Sequence, residues 1–240
     1  MRLQVFLSHA RVCSRRKALE LVKEGSVTVN GKIVSEPSYD VDPINDEVFL
    51  DQRKIELKKN CYLILNKPKG VVTTLEDKHA KYTVADLLPF EYKHLYPVGR
   101  LDKDSEGLLL FTNDGDLTFR LLHPRFKVDK FYYVEVQGKI TKEVLSRLEK
   151  GVMVEGRRTA PAKVTLGYVK ANKSGMSITL HEGRKRQIRM MLASQGYKVI
   201  NLKRAGYGTL RLGGLKPGRW RILKDEEVTH LRKACGGSKE

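Results

Sequence analysis

Cysteine is scarce in this chain: Cys13, Cys61 and Cys235 are the only three in 240 residues, odd in number and far apart. That count argues against a disulfide framework and a four-cysteine zinc site, and it fits a reducing cytoplasm. Long apolar runs are missing too. The longest, residues 61–65 and 108–111, fall far short of the roughly 20 residues that cross a bilayer. The start, Met1-Arg2-Leu3-Gln4, lacks the apolar stretch of a secretory signal. There is no P-loop, no Gly-rich dinucleotide turn and no His-Glu-x-x-His helix. The histidines (His9, His79, His94, His123, His181 and His230) show no metal-ligand spacing, and Asp114-Gly115-Asp116 lacks the remaining ligands of a calcium loop. No segment repeats at a fixed period. What these absences leave is a basic, cytosolic protein whose chemistry rests on ordinary side chains.

Positive charge is what the chain has in excess. Lys and Arg number 46 against 28 Asp and Glu, a net charge of +18. Residues 181–221 hold eleven basic side chains and one acid, Glu182, and residues 2–23 hold six against Glu20 alone. Two separated patches suit a polyanion touched at two places, and their density favours nucleic acid over a merely solvated surface. A membrane surface fits less well, because neither patch borders a broad apolar helix face. Hydrophobic residues, at 40%, suffice for a core, and the length suits a small domain followed by a medium one.

Leu3, Phe6, Leu7 and Ala10 recur at helical spacing, which predicts a short helix over 2–10. Ser14 caps a second helix that opens with Arg15, Arg16 and Lys17 and turns Ala18, Leu21 and Val22 inward. Gly25 suits a left-handed stop. Residues 27–34 then read as two β-prone runs joined by Asn30-Gly31, the strongest short hairpin signal. The cationic first turn of the second helix is a candidate RNA contact. Together, residues 2–7, Ser14-Arg15-Arg16-Lys17-Ala18 and residues 25–31 resemble the S-four-like RNA-binding domain. The resemblance implies that residues 1–58 form such a domain, which adds affinity to a second binding surface through effective concentration.

From Cys61 onward strands and helices alternate without the regular βαβ rhythm of a dinucleotide fold. Residues 62–65, 108–111 and 131–136 read as strands; 117–122 and 142–150 read as helices. One segment stands apart: Val98-Gly99-Arg100-Leu101-Asp102-Lys103-Asp104-Ser105-Glu106-Gly107-Leu108, acids and bases in a glycine-bounded loop before a buried strand. Local features alone make Asp102 a loop carboxylate or a cap.

The wider pattern says more. Gly99-Arg100-Leu101-Asp102, Ser105-x-Gly107-Leu108-Leu109-Leu110 and Thr112-Asn113-Asp114-Gly115 resemble the catalytic signature of the RsuA/RluB-type ribosomal RNA pseudouridine synthases. Asn66-Lys67-Pro68-Lys69-Gly70, Lys130-Phe131-Tyr132-Tyr133-Val134 and Glu182-Gly183-Arg184-Lys185-Arg186-Gln187-Ile188-Arg189 agree with that family, in the right order along nearly the whole chain. Two positions depart from it: Ser105 stands where Thr is usual, and Lys185 where Asn is common. The former keeps the hydroxyl, and the latter bears on an RNA contact rather than the chemistry.

The resemblance implies an α+β protein: the helix-helix-hairpin domain, then a catalytic domain over 61–235 with a mixed, largely antiparallel central sheet, then a flexible tail over 236–240. It implies isomerisation of uridine to pseudouridine in RNA, with no cofactor and no metal, since the atoms balance within one nucleoside. Asp102 carries over as the catalytic carboxylate, acting either at C1′ or on a C2′ proton. Arg189 carries over as the arginine that pairs with it, and Tyr132 as the active-site tyrosine; the residues alone do not choose between Tyr132 and Tyr133. With Tyr132 in the site, strand alternation sends Tyr133 to the other face and into a core. Arg100 resembles the arginine that assists base flipping, and Lys67, Arg184, Lys185 and Arg186 read as phosphate contacts. The partner implied is ribosomal RNA or an assembly intermediate, met by a monomer. Residues 204–221 look more like the large-subunit branch of the family than the small-subunit one. The alternatives are a 16S enzyme or a non-catalytic assembly factor, the latter opposed by intact Asp102, Tyr132 and Arg189. A methyltransferase is disfavoured, because no Gly-rich cofactor loop follows a strand.

Overall fold

In the computed structural model, which describes residues 1–10, 12–57, 59–77 and 79–236, the chain opens with two short helices, α1 (Leu3–His9) and α2 (Arg15–Lys23). Ser14 Oγ accepts the Lys17 N–H at 3.3 Å, satisfying one of the donors a helix start leaves free. Strands β1 (Val27–Val29), β2 (Lys32–Ile33), β3 (Val48–Leu50) and β4 (Arg53–Ile55) follow, in the sheet order β2-β1-β3-β4. The β1–β2 turn carries positive φ at both Asn30 and Gly31, 50° and 77°, the geometry that the Asn-Gly pair adopts readily. Leu3, Phe6 and Leu7 of α1 close against Ala18 and Val22 of α2 and the valines of β1 and β3. That leaves Arg15, Arg16 and Lys17 exposed on the first turn of α2. This unit spans Met1–Cys61 together with Asn113–Gly115; Tyr62–Thr112 and the chain from Asp116 make the other.

The second unit contains β5 (Tyr62–Lys67), β6 (Tyr96–Pro97), β7 (Glu106–Thr112), α3 (Gly115–Leu122), β8 (Lys130–Gln137) and α4 (Lys142–Lys150). It continues with β9 (Met153–Val154), β10 (Arg157–Arg158), β11 (Lys163–Val169), β12 (Lys173–Leu180), α5 (Gln187–Ala193), β13 (Val199–Tyr207), β14 (Leu210–Arg211), β15 (Trp220–Ile222) and α6 (Asp225–Ala234). The central sheet runs β11-β12-β8-β13-β7-β5-β15, with β14 on β13 and β6 on β7. Only the β13–β7 pair is parallel among the described strands, so the expected mixed, largely antiparallel sheet is what the chain forms.

Two cores flank the middle of this sheet. In one, Leu108 and Leu110 of β7 meet Leu117 and Leu121 of α3 and Val228 and Leu231 of α6. In the other, Val134 and Val136 of β8 meet Val144 and Leu148 of α4 and Ile188, Met191 and Leu192 of α5. Thr141 caps α4, whose apolar positions fall at i, i+1 and i+4 as the sequence spacing requires. Tyr132 shares the face of Val134. Tyr133, expected in a core, is instead 62% exposed: strand alternation does turn it to the opposite face, but no core forms there. The tail expected over 236–240 lies outside the described residues from 237 on.

Candidate active site

Between the two cores lies a cavity of about 1320 Å³, lined by Val98 and Tyr207 from one and by Leu180, Ile188 and Leu202 from the other. Its polar wall is the loop between β6 and β7, which carries Arg100, Asp102 and Asp104. The loop is fastened at several points. Thr73 Oγ1 donates to the Leu101 carbonyl at 2.6 Å and accepts the Leu101 N–H at 3.2 Å. Gly70 N–H donates to the Lys103 carbonyl at 2.7 Å, and Ser105 N–H to the Asp102 carbonyl at 3.0 Å. Glycine is required at 107, where φ is +110° and a Cβ would collide with the Arg204 backbone of the neighbouring strand.

Lys67 closes this frame from below. Its Nζ donates to the Ser105 carbonyl at 2.7 Å and the Pro68 carbonyl at 3.0 Å, and the side chain has no solvent exposure. The expectation that Lys67 contacts phosphate is thereby corrected: a group wholly enclosed and committed to two carbonyls cannot reach a backbone in solution. Burial lowers its pKa to about 8, and Asp102, Asp104 and Glu106 hold it from falling further.

Two more buried cations line the cavity floor. Lys130, its pKa also lowered to about 8 by burial and then by Arg204, donates to the carbonyls of Val128 (3.2 Å) and His181 (3.4 Å). Arg204 Nε donates to the Leu108 carbonyl at 2.7 Å, while its Nη2 is enclosed without a hydrogen-bond partner. Both cations lie 5.2 Å from the Tyr207 ring centre. A floor whose positive groups bond only carbonyls favours an electron-rich occupant. Sequence reading passed over Lys130 and Arg204, although both stand inside segments that resemble the family; Thr73 gave no signal at all.

The rim brings together most of the expected RNA contacts. Arg100, Arg184, Lys185 and Arg186 are all exposed and line the cavity, and Tyr132 faces into it from β8. Arg184 is tied to its surroundings, with Nη2 donating to the Arg158 carbonyl at 2.8 Å and Nε 3.5 Å from Glu182. Arg15, Arg16 and Lys17 belong to the first unit.

The expected pairing of Arg189 with Asp102 is not the one found. Arg189 Nη2 lies 3.1 Å from Asp104 Oδ2, and it also donates to the Asp104 carbonyl at 3.1 Å and Ser105 Oγ at 3.4 Å. Arg186 is the guanidinium that faces Asp102, at 3.7 Å, and it reaches Asp104 at 3.4 Å. The reason lies in how α5 begins. Arg186 precedes the helix in a left-handed conformation, φ 52°, and overhangs the loop, while Arg189 lies on the first turn against residues 104–105. Two carboxylates two residues apart look alike in sequence, and only the fold distributes the arginines between them.

A mixed sheet thus holds two loop aspartates in a cavity lined by cations and by Tyr132 and Tyr207, a setting suited to an electron-rich substrate. Comparison with known proteins makes the class definite. The sequence profile of the RNA pseudouridylate synthases matches residues 61–194, and that of the S4 domain matches residues 1–48. Bacillus subtilis ribosomal large subunit pseudouridine synthase B is 43% identical over 233 residues, covering 96% of this chain and 95% of the relative. An uncharacterized RNA pseudouridine synthase of Aquifex aeolicus is 39% identical, covering 98% of this chain and 95% of the relative. A crystal structure of a pseudouridylate synthase superposes with a TM-score of 0.69 at 28% identity, covering 96% of this chain and 99% of that one. The chain belongs to the RNA pseudouridylate synthase family, with an S4 domain at its N-terminus.

Proposed function

We propose that this enzyme isomerises uridine in large-subunit ribosomal RNA, with Asp102 as its catalytic carboxylate. The observation that carries the reading is the setting of Asp102: a half-buried carboxylate held by a fastened loop, above buried cations, inside a rim of exposed arginines and lysine. In the reaction the C1′–N1 bond breaks, the base turns, C5 bonds to C1′, and the proton leaving C5 is balanced by one gained at N1. No water is added, so one carboxylate suffices where glycoside hydrolysis uses two. Asp102 acts at C1′ or on the C2′ proton, with Arg186 the cation nearest its carboxylate. Tyr132 stacks on the flipped base, its hydroxyl near the departing C5 proton. Arg100 fills the gap left in the RNA stack, and Arg184, Lys185 and Arg186 hold phosphates. Arg189 acts through the loop, by fixing Asp104 and Ser105.

Large-subunit RNA is favoured by the name of the Bacillus subtilis relative, which aligns over nearly the full length of both chains. The S4 region adds a second RNA contact through Arg15, Arg16 and Lys17, with the division between the domains falling at 58–61. The test is tritium release from C5-labelled uridine, run on 23S and 16S rRNA with wild type and Asp102→Asn. Release from 23S alone, abolished by the substitution, is the expected result. Release from 16S alone would move the enzyme to the small subunit, and release from neither would make it a binding factor.

A further inference from the structure

Over β11, β12, β8 and β13, helices α4 and α5 pack on one face of the sheet, and the other face carries exposed side chains. Phe131 and Tyr133 stand two residues apart on β8, between β12 and β13, so both rings emerge on that second face. The cross-strand neighbours of Tyr133 are Ser177 and Lys203, too short or too flexible to cover its ring. Arg211 lays its guanidinium over Phe131, 3.9 Å from the ring centre. Beside Tyr133 opens a cavity of about 450 Å³, bounded by Tyr168 and floored by Gly175 and Ser177.

This recess is built rather than incidental. The Tyr168 ring rests directly on Gly175, where any Cβ would collide with it. Its hydroxyl donates to Glu135, which also takes Lys173 Nζ at 2.9 Å, so the ring is fixed in place. Asn201 lines the recess too and hydrogen-bonds Glu135 through its side chain. The charge around the face is one-sided: Lys163, Lys170, Lys173, Lys203 and Arg211 against Glu106 and Glu135.

We propose that this face is a second RNA surface, which takes a single-stranded segment of the substrate on the side of the sheet away from the isomerisation cavity. Bases stack on Tyr133 and enter the recess beside Tyr168, and the lysines take the phosphates. Every base has a π face, so such stacking tolerates any sequence. An exposed tyrosine on the middle of four antiparallel strands, with Phe131 and Tyr168 partly exposed on the same face and two helices behind, makes the kind of platform on which sheets hold unpaired RNA. The proposal rests on RNA being the substrate but not on which residue catalyses.

The test uses the full chain and a fluorescein-labelled oligoadenylate of about ten nucleotides, which contains no uridine to isomerise. Tyr133→Ala should raise its Kd about fivefold to a hundredfold, while Tyr133→Phe, which keeps the ring, stays near wild type. Asp102→Asn should bind the oligomer as wild type does, so a failed catalytic assignment leaves this result intact. With rRNA fragments, Tyr133→Ala should raise KM by a similar factor when a single-stranded flank is present and leave kcat unchanged. Trimming the flank should abolish the difference. A Kd for Tyr133→Ala within about twofold of wild type, or Tyr133→Phe as damaging as Ala, would overturn the platform.

Discussion

Asp102 is a residue whose neighbours matter more than its own environment. It has Arg186 at 3.7 Å, and its loop is clamped by Thr73 and underpinned by Lys67. Asp102→Asn keeps shape and removes charge, so rRNA affinity should persist while tritium release falls by at least about 100-fold; near wild-type turnover would remove Asp102 from the chemistry. Lys130 makes a prediction about pH. Its folded pKa, about 8, lies below the ordinary 10.5 because the charge is buried. Below pH 8 both states hold the proton and the cost of burying it is fully present. Between about 8 and 10.5 the unfolded chain keeps a proton the folded chain has lost, so stability rises with pH, by on the order of 3 kcal/mol. Lys130→Met should lack that rise, which urea unfolding at about pH 7.5 and 10 would measure as a difference in slope. Parallel slopes would contradict it. At this scale sequence was a partial guide. A lysine in an Asn-Lys-Pro-Lys-Gly turn looks exposed, and the burial of Lys67 depends on Ser105, 38 residues away.

Single elements were more legible than their surroundings. Ser14 as a cap, Asn30-Gly31 as a turn and the apolar run of β7 each follow from local chemistry, and each stands where the residues indicate. The open face of β8 did not follow, because alternation says that two faces exist and not which one a helix will cover. Gly107 illustrates how tightly one strand fixes the next. Gly107→Ala adds both a strained φ and a collision with the Arg204 backbone, a destabilisation of about 3 kcal/mol or more by urea titration. Stability within about 1 kcal/mol of wild type would show that the strands can part there. The start of α2 is a contrasting case, exposed and free to change. Reversing Arg15, Arg16 and Lys17 should leave the fold intact and lower the slope of log affinity against log salt by about one unit for each phosphate these side chains no longer neutralise. An unchanged slope would mean that α2 touches no phosphate in this substrate.

At the scale of the whole molecule, RNA must be bound, opened and modified by different groups, and the two arginines sorted by the fold give a way to separate those steps. Arg100 is exposed at the cavity rim, whereas Arg189 is committed to Asp104 and Ser105. Arg100→Ala should slow single-turnover modification of structured rRNA far more than of a fragment whose target uridine is already unpaired, since unstacking costs a few kcal/mol. Arg189→Ala should slow both alike, because a loosened loop misplaces Asp102 whatever the state of the RNA. Equal losses for Arg100→Ala on the two substrates would remove its flipping role.

The edge strand β15 pairs with β5, joining Trp220–Ile222 to Leu63–Leu65, and Ile64 shares a core with Leu231 and Cys235. The first strand of the catalytic unit is therefore completed by residues far downstream in the chain. During synthesis, at about 5–20 residues per second, the N-terminal helices and hairpins can fold as they emerge, but the sheet beginning at Tyr62 must wait. A chain ending at Gly218 should show that dependence in limited proteolysis, with the segment from Tyr62 digested while the first unit survives. Equal protection of both would place the folding nucleus elsewhere. On a nascent chain the helices and hairpins of the S4 region thus come before the closure of the sheet that carries the cavity, so a co-translational order is built into the strand pairing.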